Sequence, residues 1–407
     1  MQTFDALQGR SRWMVAALLG LWLMVGGLSG CGVSPVDAED RLFVPLGVEF
    51  LDGLILPPNF EFEGTPVGGL SAIAYDRAED YFYALSDDRS QEAPARFYRL
   101  KVTLAETAGG NPALVSVAVD RLITLTDENN QPFPAGSIDP EGFVLTPRGT
   151  AIISSEGDSS QGVDPFIGEF NLETGQRVSL LPLPERYLPR PDPDGDPQII
   201  ASGIRNNLGF EGLTTEANGA LRSPVEPFRI FTAIEAALAQ DVETEGPEER
   251  RSRKVRWLHY SLGIGQPFLI SEHLYELEDE PAGAIVQGLT EILALDTGGH
   301  FLSLERSYGP LPGFGIQLFE VALGAATDTA AYETLRGDLE GVVAPARKRL
   351  LLDLSTTGVE LDNFEAMAIG PRLPDGSYTL ILVSDNNFQP QQHTQFLLLK
   401  LVGYQMG

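Results

Sequence analysis

Acidic residues recur at the heads of short apolar runs in this sequence. DPEGF carries Glu141, GFEGL carries Glu211, GLTEI carries Glu291 and NFEAM carries Glu365, while GLSAI has the same shape with Ser71 in the acidic place. A second run follows each head and ends in polar residues. YFYALSDDR ends near Asp87 and Asp88, AIISSEG near Glu156, RIFTAIE at Glu235, HFLSLER near Glu305 and YTLILVSDNN near Asp385. Brought to one place, these carboxylates cannot all stay ionised without compensation. Such a site must protonate some of them, pair them with arginine, or bind cations. Many hard oxygen donors suit Ca2+ or Mg2+ rather than zinc. The four histidines, at 259, 273, 300 and 393, form no HxxxH spacing, and there is no CxxC. The plainer alternative is that each acid accepts hydrogen bonds from neighbouring strand amides. A Glu-Gly pair can also simply shape a tight strand start, since glycine adopts unusual φ and ψ.

Arginines stand beside these acids. Arg89 follows Asp87 and Asp88, Arg306 follows Glu305, and Arg205, Asn206 and Asn207 precede Glu211. The planar guanidinium fork matches phosphate or carboxylate. Acid and arginine together can hold a metal and a phosphate, with the metal as Lewis acid and water activator. The alternative for each arginine is a structural salt bridge to its acidic neighbour.

The elements that must position these residues follow from the period. The heads Ser71, Glu141, Glu211, Glu291 and Glu365 are spaced by 70, 70, 80 and 74 residues. After each second run comes a third: ARFYRLKV, PFIGEFNL, KVRWLHYSL, FGIQLFEVAL and QFLLLKLV. A fourth follows in four repeats, as VAVDRLITL, RVSLLPL, FLISEHLYEL and RLLLDLS. Four short strands per repeat predict an all-β fold, a β-propeller. The fifth repeat lacks a fourth strand, and RLFVPLGVEF, residues 41–50, is spare at the other end. The expectation is five blades with the ring closed by this N-terminal strand; six blades, one degenerate, is the rival count. The innermost strands then face one channel, and the acids converge at its mouth. The best helix signal is FTAIEAALAQD, near 231–241, as a turn or two in a loop.

The 407 residues carry a net charge of −29, which argues against a nucleic-acid partner. Arg10 and Arg12 precede the apolar run Met14 to Leu28, and small residues follow, the layout of a secretory signal. That run is short for a bilayer span, which takes about 20 residues. LSGC, ending at Cys31, resembles a bacterial lipobox, in which the Cys becomes the lipidated first residue. Cys31 is the only cysteine, so no internal disulfide can form. The expected organisation is a lipoprotein signal over 1–30, a polar tether over 31–40 and a single domain over 41–407. The expected destination is the extracytoplasmic side of a bacterial membrane, periplasmic or cell-surface, with the chain held by acyl chains. Elsewhere, DPDGD (192–196) starts like a calcium loop, but the twelfth position is Gly203 rather than Glu. The mature chain has no GxSxG, no Walker A and no dinucleotide fingerprint. ETEGPEERRSRK (243–254) reads as a charged, solvated loop.

Taken in combination, GLSAIAYD with YFYALSDDR, DPEGF with SSEG, RNNLGFEGL with AIE, and NFEAMAI with SDNN resemble a bacterial family called phytase-like, or "esterase-like activity of phytase". The resemblance covers roughly residues 65–400. Ala72 and Ala366 depart from the Gly142 and Gly212 of repeats two and three. The resemblance implies a calcium-dependent propeller that hydrolyses phosphate esters. It gives Asp87, Glu141, Glu156, Glu211 and Asp385 to a metal cluster, with Arg89 and Arg205 near the phosphate. The attacking nucleophile would be a metal-activated water, without a covalent intermediate. The expected site is therefore a metal set of Asp87, Glu141, Glu156, Glu211, Glu291, Glu365 and Asp385, with Glu211 and Glu141 catalytic. Arg89, Arg205, Asn206 and Arg306 would bind a small anionic phosphoester. The rival class is a non-catalytic propeller that binds a ligand or protein partner at the same mouth, with metal holding the ring.

Overall fold

The apolar run at the start of the chain is followed by a ring of sheets in the computed structural model, which describes residues 42–107, 110–192, 199–242, 252–311 and 313–405. The signal, Cys31, the tether, most of DPDGD and most of the 243–254 loop lie outside the described residues. Strand β1 (Gly47–Ile55) leads to a small hairpin of β2 (Glu61–Phe62) and β3 (Thr65–Pro66). Blade 1 holds β4 (Leu70–Asp76), β5 (Tyr81–Ser86), β6 (Arg96–Glu106) and β7 (Pro112–Thr124). Blade 2 holds β8 (Pro140–Leu145), β9 (Thr150–Ser155), β10 (Phe166–Asn171) and β11 (Arg177–Leu180). A second small pair, β12 (Arg190–Pro191) and β13 (Ile200–Ser202), precedes blade 3. Blade 3 holds β14 (Phe210–Thr215), β15 (Phe228–Ile234), β16 (Lys254–Leu262) and β17 (Phe268–Glu276). Blade 4 holds β18 (Val286–Ala294), β19 (His300–Gly309), β20 (Gly313–Ala322) and β21 (Arg347–Asp353). Blade 5 holds β22 (Asn363–Arg372), β23 (Tyr378–Asp385) and β24 (Gln395–Val402), and β1 completes it.

The protein is thus a five-bladed β-propeller. β1 pairs antiparallel with β24 from Gly47↔Val402 to Ile55↔Gln395, so the N-terminal segment closes the ring and removes a free edge. The closing strand lies later than the 41–50 expected. Residues 43–46 dock on blade 4 instead: the Val44 amide donates to Glu320 Oε1 at 2.7 Å, and Arg349 donates to the Val44 carbonyl at 2.8 Å. The expected helical turns over 231–241 are also displaced. Strand β15 runs to Ile234, paired on both sides, and a single 3-10 turn at Ala239–Asp241 follows.

Burial follows position in the blade. Every residue of β8 and β9 is buried, whereas the outer strands β7 and β11 are largely half-buried or exposed. Neighbouring blades are joined by aromatic side chains. Phe143 of blade 2 meets Phe97 of blade 1 at 5.2 Å, and Phe301 of blade 4 meets Trp257 and Phe231 of blade 3 at 5.1 and 4.7 Å. Such pairs contribute roughly 0.5–1.5 kcal/mol each beyond area burial.

The inner strands β4, β8, β14, β18 and β22 contact one another in sequence and around the ring. All five slip register by one residue near the mouth: at Leu70/Ala72, Pro140/Phe143, Phe210/Leu213, Leu289/Glu291 and Phe364/Ala366. A β-bulge of this kind re-aims side chains beside a site. Matching the pairs on either side of each slip makes Ser71, Glu141, Glu211, Thr290 and Glu365 equivalent. The next position holds Ala72, Gly142, Gly212, Glu291 and Ala366.

That second position is crowded by the neighbouring inner strand. A Cβ on Gly142 would lie 2.6 Å from Leu213 Cβ and 2.8 Å from the Glu211 carbonyl oxygen. In blade 4 the same position carries Glu291, whose Oε1 accepts the Leu213 amide at 3.1 Å and the Ile292 amide at 2.8 Å. Its carboxyl also meets the Met367 amide of blade 5, and burial holds its pKa well above the usual range. Glu291 therefore joins three inner strands one layer below the mouth.

Two outcomes follow for stability. Replacing Glu291 by Ala strands buried amides and lowers unfolding free energy by about 1–3 kcal/mol, while Glu291→Gln keeps the acceptor and changes it little; denaturant titration distinguishes the two. Gly142→Ala forces the facing backbone apart and costs about 1–3 kcal/mol, while Gly265→Ala, with nothing within 4 Å, shifts the same midpoint negligibly.

Candidate functional site

The inner-strand heads and the ends of the second strands meet at one mouth of the channel. The residues opposite the slips are Ser86, Ser155, Ile234, Glu305 and Ser384. One residue further on stand Asp87, Glu156, Glu235, Arg306 and Asp385. The mouth is thus two rings of five equivalent positions: Ser71, Glu141, Glu211, Thr290 and Glu365 inside, then these four acids and one arginine. Blade 4 lacks the acid in both rings, and blade 1 lacks it in the inner one.

The hydroxyls in the inner ring tie blade to blade. Ser71 Oγ donates to the Pro140 carbonyl at 3.2 Å, and Thr290 Oγ1 donates to the Phe364 carbonyl at 3.3 Å. The carboxyls crowd the space between. Asp139, Glu141 and Glu156 bring ligand oxygens within 4.8 Å of one another, and so do Glu156, Glu211 and Glu235. Glu156 is 3% exposed; Oε1 takes the Gly209 amide, and Oε2 has no hydrogen-bond partner. Across the mouth, Asp385 accepts the Asn387 amide at 2.7 Å and Asn363 Nδ2 at 3.2 Å.

Glycines two residues before the heads make room for these acids. A Cβ on Gly69 would lie 2.1 Å from Asp87 Oδ1, and one on Gly288 would lie 2.3 Å from Glu235. At the same position blade 2 carries Asp139 and blade 5 carries Asn363. Asp139 is clasped by Arg89, whose Nε donates at 2.8 Å while Nη2 also holds Asn207. Arg306 pairs with Glu235 at 2.7 Å through Nη2, and through Nη1 with Glu365 and Asn363.

Electrostatics follow from this crowding. Burial, then Glu211, Asp139, Asp87 and Glu156, push the Glu141 pKa well above the carboxylate range. Burial, then Asp139 and Glu235, do the same to Glu156, and burial with Glu156, Glu365 and Glu235 to Glu211. Burial and Asp87 raise Asp385. Asp87 is pushed to about 8 by burial, Glu365 and Asp139; Glu365 reaches about 8, by burial and despite Arg306. Asp139 reaches about 6, by burial and despite Arg89. Burial works against the charge on Arg306, but Glu365, Glu235 and Glu211 outweigh it and raise its pKa.

The structure brings Asp87, Glu141, Glu156, Glu211, Glu365, Asp385, Arg89 and Arg306 of the sequence-derived set to this mouth. Three assignments change. Glu291 is not at the mouth, because Thr290 fills the equivalent position. Arg205 turns away, its Nε on the Ala237 carbonyl at 2.9 Å, although its charge is felt at Glu235. Asn207, in a left-handed conformation at φ 56°, faces the mouth, whereas Asn206 accepts from Ser159 Oγ at 3.4 Å outside it. Glu305, also an acid at a second-strand end, is turned to Tyr275, Glu278 and Lys348. Asp88 is held by Arg96 at 2.7 Å and by loop amides of residues 91–93. Sequence reasoning missed Asp139 and Asn363 as site residues; their common signal is the place two residues before a head.

The mouth encloses about 620 Å3, and its rim adds Val286, Tyr308, Phe314 and Phe388. The Tyr308 and Phe314 rings meet at 4.7 Å, tilted by 42°, an apolar patch beside Arg306. The other end of the channel holds a separate cavity of about 350 Å3, lined by Ile73, Phe143, Leu213, Leu293 and Met367 among others. The two cavities share no lining residue.

Among known proteins, an uncharacterized secreted protein of Arthroderma benhamiae is 29% identical over 194 residues, covering 42% of this chain and 34% of that protein. The chain therefore spans about a third of that relative. Among solved structures, the Dos1 propeller matches at 8% identity and a TM-score of 0.32, covering 85% of this chain and 71% of that one. Regucalcin of Agrobacterium tumefaciens, a calcium-binding protein, matches at 10% identity and a TM-score of 0.34, covering 83% and 92%. The family described as "Phytase-like: Esterase-like activity of phytase" matches residues 65–388, from the hairpin before blade 1 through the last mouth loop, and this chain belongs to it.

Proposed function

We propose that the protein is an exported, lipid-anchored hydrolase of phosphoric esters that works at its acidic mouth with a divalent cation, Ca2+ or Mg2+. The observation that carries this reading is Glu156, a buried carboxylate with one oxygen unpartnered, pressed between four other carboxyls. The donor set fits such an ion: carboxylate oxygens in number, with no sulfur or imidazole among them. Family membership supports hydrolase-like chemistry, and the secreted relative supports export. The lipid anchor rests on Cys31 and its lipobox, and it makes the membrane the protein's standing partner.

A divalent ion held there would supply Lewis-acid polarisation of a phosphoryl oxygen and a lowered pKa for its water. Asp87, Asp139, Glu141, Glu156, Glu211, Glu235, Glu365 and Asp385 are the carboxyls available to hold it. Glu141 and Glu211, two of the three inner-ring glutamates, are the groups placed to exchange a proton at a carboxylate oxygen, their pKa raised by burial and by neighbouring carboxyls. Arg89 and Arg306 line the cavity and orient an anionic ligand. Their planar forks, fixed by Asp139, Glu235 and Glu365, present positive charge without needing to be ordered on binding. Tyr308 and Phe314 offer a surface to the organic part of the ester.

In detergent, the full chain stripped with chelator should release no phosphate from a panel of phosphoesters, and added Ca2+ should restore release. Glu211→Gln should lower kcat roughly 100-fold or more without lowering the melting temperature. No release under either condition, with a calcium-dependent rise in melting temperature, would favour the non-catalytic binding propeller.

Proton and cation should also compete. Asp87 and Glu365 keep their protons to about pH 8 in the native state and Asp139 to about 6. In the unfolded chain the same groups ionise near 4. Between these values the native state binds more protons, so stability falls as pH rises, by about 1.4 kcal/mol per pH unit for each such carboxyl. The melting temperature of ion-free protein should therefore fall from pH 5 to pH 8, and the increment from Ca2+ should grow over the same window. A flat profile without calcium would contradict the arrangement.

A further inference from the structure

We infer that the mouth binds two divalent cations side by side, with Glu156 as the ligand they share; this deepens the hydrolase reading and rests on it. One position is formed by Asp139, Glu141 and Glu156, the other by Glu156, Glu211 and Glu235, and in each the ligand oxygens lie within 4.8 Å of one another. Only Glu156 belongs to both. Its Oε2 is buried and has no hydrogen-bond partner, while Oε1 is fixed by the Gly209 amide. A carboxylate oxygen so buried is strongly disfavoured unless a cation or proton meets it.

The register of the ring explains why the pair sits on blades 2 and 3. The second position takes the second-strand acid of one blade, then the inner and second-strand acids of the next. Advancing it by one blade gives Glu235, Thr290 and Arg306, so the inner carboxylate is lost and a guanidinium stands in the ring, bonded to Glu235. Advancing from blade 5 to blade 1 gives Asp385, Ser71 and Asp87, again without an inner carboxylate. Arg306 thus takes the ring position of blade 4, and the two carboxylate groups that share Glu156 fall on blades 2 and 3.

The outermost ligands of the two positions carry the arginines: Asp139 is clasped by Arg89 and Glu235 by Arg306. An anion lying across both ions therefore meets a guanidinium at each end. That arrangement suits a phosphate monoester, whose terminal group offers three oxygens to two cations and two forks.

Mn2+ and Ca2+ binding to the full, chelator-treated chain in detergent tests this without reference to turnover. Calorimetry with Ca2+ should give two equivalents per chain, and the Mn2+-loaded protein should show the electron paramagnetic resonance spectrum of an exchange-coupled pair. Glu141→Gln and Glu211→Gln should each leave about one equivalent and an uncoupled spectrum. Glu156→Gln, which keeps an acceptor for the Gly209 amide, should weaken both sites at least tenfold. The ion-free melting temperature of each variant confirms that it folds. One equivalent in the unaltered protein, or two ions without coupling, overturns the shared-ligand pair and leaves a single-ion hydrolase standing. No binding of either ion overturns both.

Discussion

Holding carboxylates together away from water is the constraint on which the rest of this structure depends. Two unit charges 4 Å apart repel by about 4 kcal/mol even at an effective dielectric of 20. A whole domain is stable by only about 5–15 kcal/mol. Eight mouth carboxyls, Asp87, Asp139, Glu141, Glu156, Glu211, Glu235, Glu365 and Asp385, face the guanidiniums of Arg89 and Arg306. Full ionisation without further compensation would exceed what the fold can supply. The bulges that aim the heads inward, the glycines that make space for the acids and the arginine of blade 4 all serve one purpose. They hold in place a set of charges that water would otherwise disperse.

The ring accounts for the symmetry of the site, and blade 4 accounts for its direction. Five equivalent blades would place five acids in each ring, with no preferred side. Ser71 departs in the inner ring, and blade 4 departs in both, with Thr290 and Arg306, so the Arg306 charge lies between Glu235 of blade 3 and Glu365 of blade 5. The carboxyls without an arginine partner are Asp87, Glu141, Glu156 and Glu211 on blades 1, 2 and 3, and Asp385 on blade 5. A propeller scaffold alone does not specify function; here the departure from the repeat is what gives the mouth an orientation toward a ligand.

Much of this was legible in the sequence, because strand count and period depend on hydrophobic pattern and spacing. The four-strand repeat, the five blades and the missing strand of the fifth appear in the chain as they do in space. Residue positions near the bulges were harder. In GLTEI the acid stands one place after the threonine that fills the ring, and a one-residue slip moves a side chain to a different face. Glu291 therefore left the mouth, while Asp87, Glu156 and Asp385 stayed. HFLSLER misled for the same reason: Glu305 precedes the equivalent position and Arg306 occupies it. Asn207 rather than Asn206 faces the mouth because a left-handed residue reverses the local direction of the chain, which sequence alone does not reveal. Arg205 was drawn aside by a backbone carbonyl, a contact between segments 32 residues apart.

Glu291, although outside the mouth, bears on how the mouth can work. It lies one layer down, held by amides of three inner strands, and burial keeps its carboxyl from ionising readily. Above it every central side chain is polar or charged; below it Phe143, Leu213 and Met367 line a separate cavity. An ion moving down the channel would leave oxygen ligands for apolar walls, a transfer that costs far more than remaining at the mouth. On the hydrolase reading, cation and ester would reach the acids through the mouth. An ester seated between Arg89 and Arg306 would lie over the carboxyls, so on that reading the ions would enter before it.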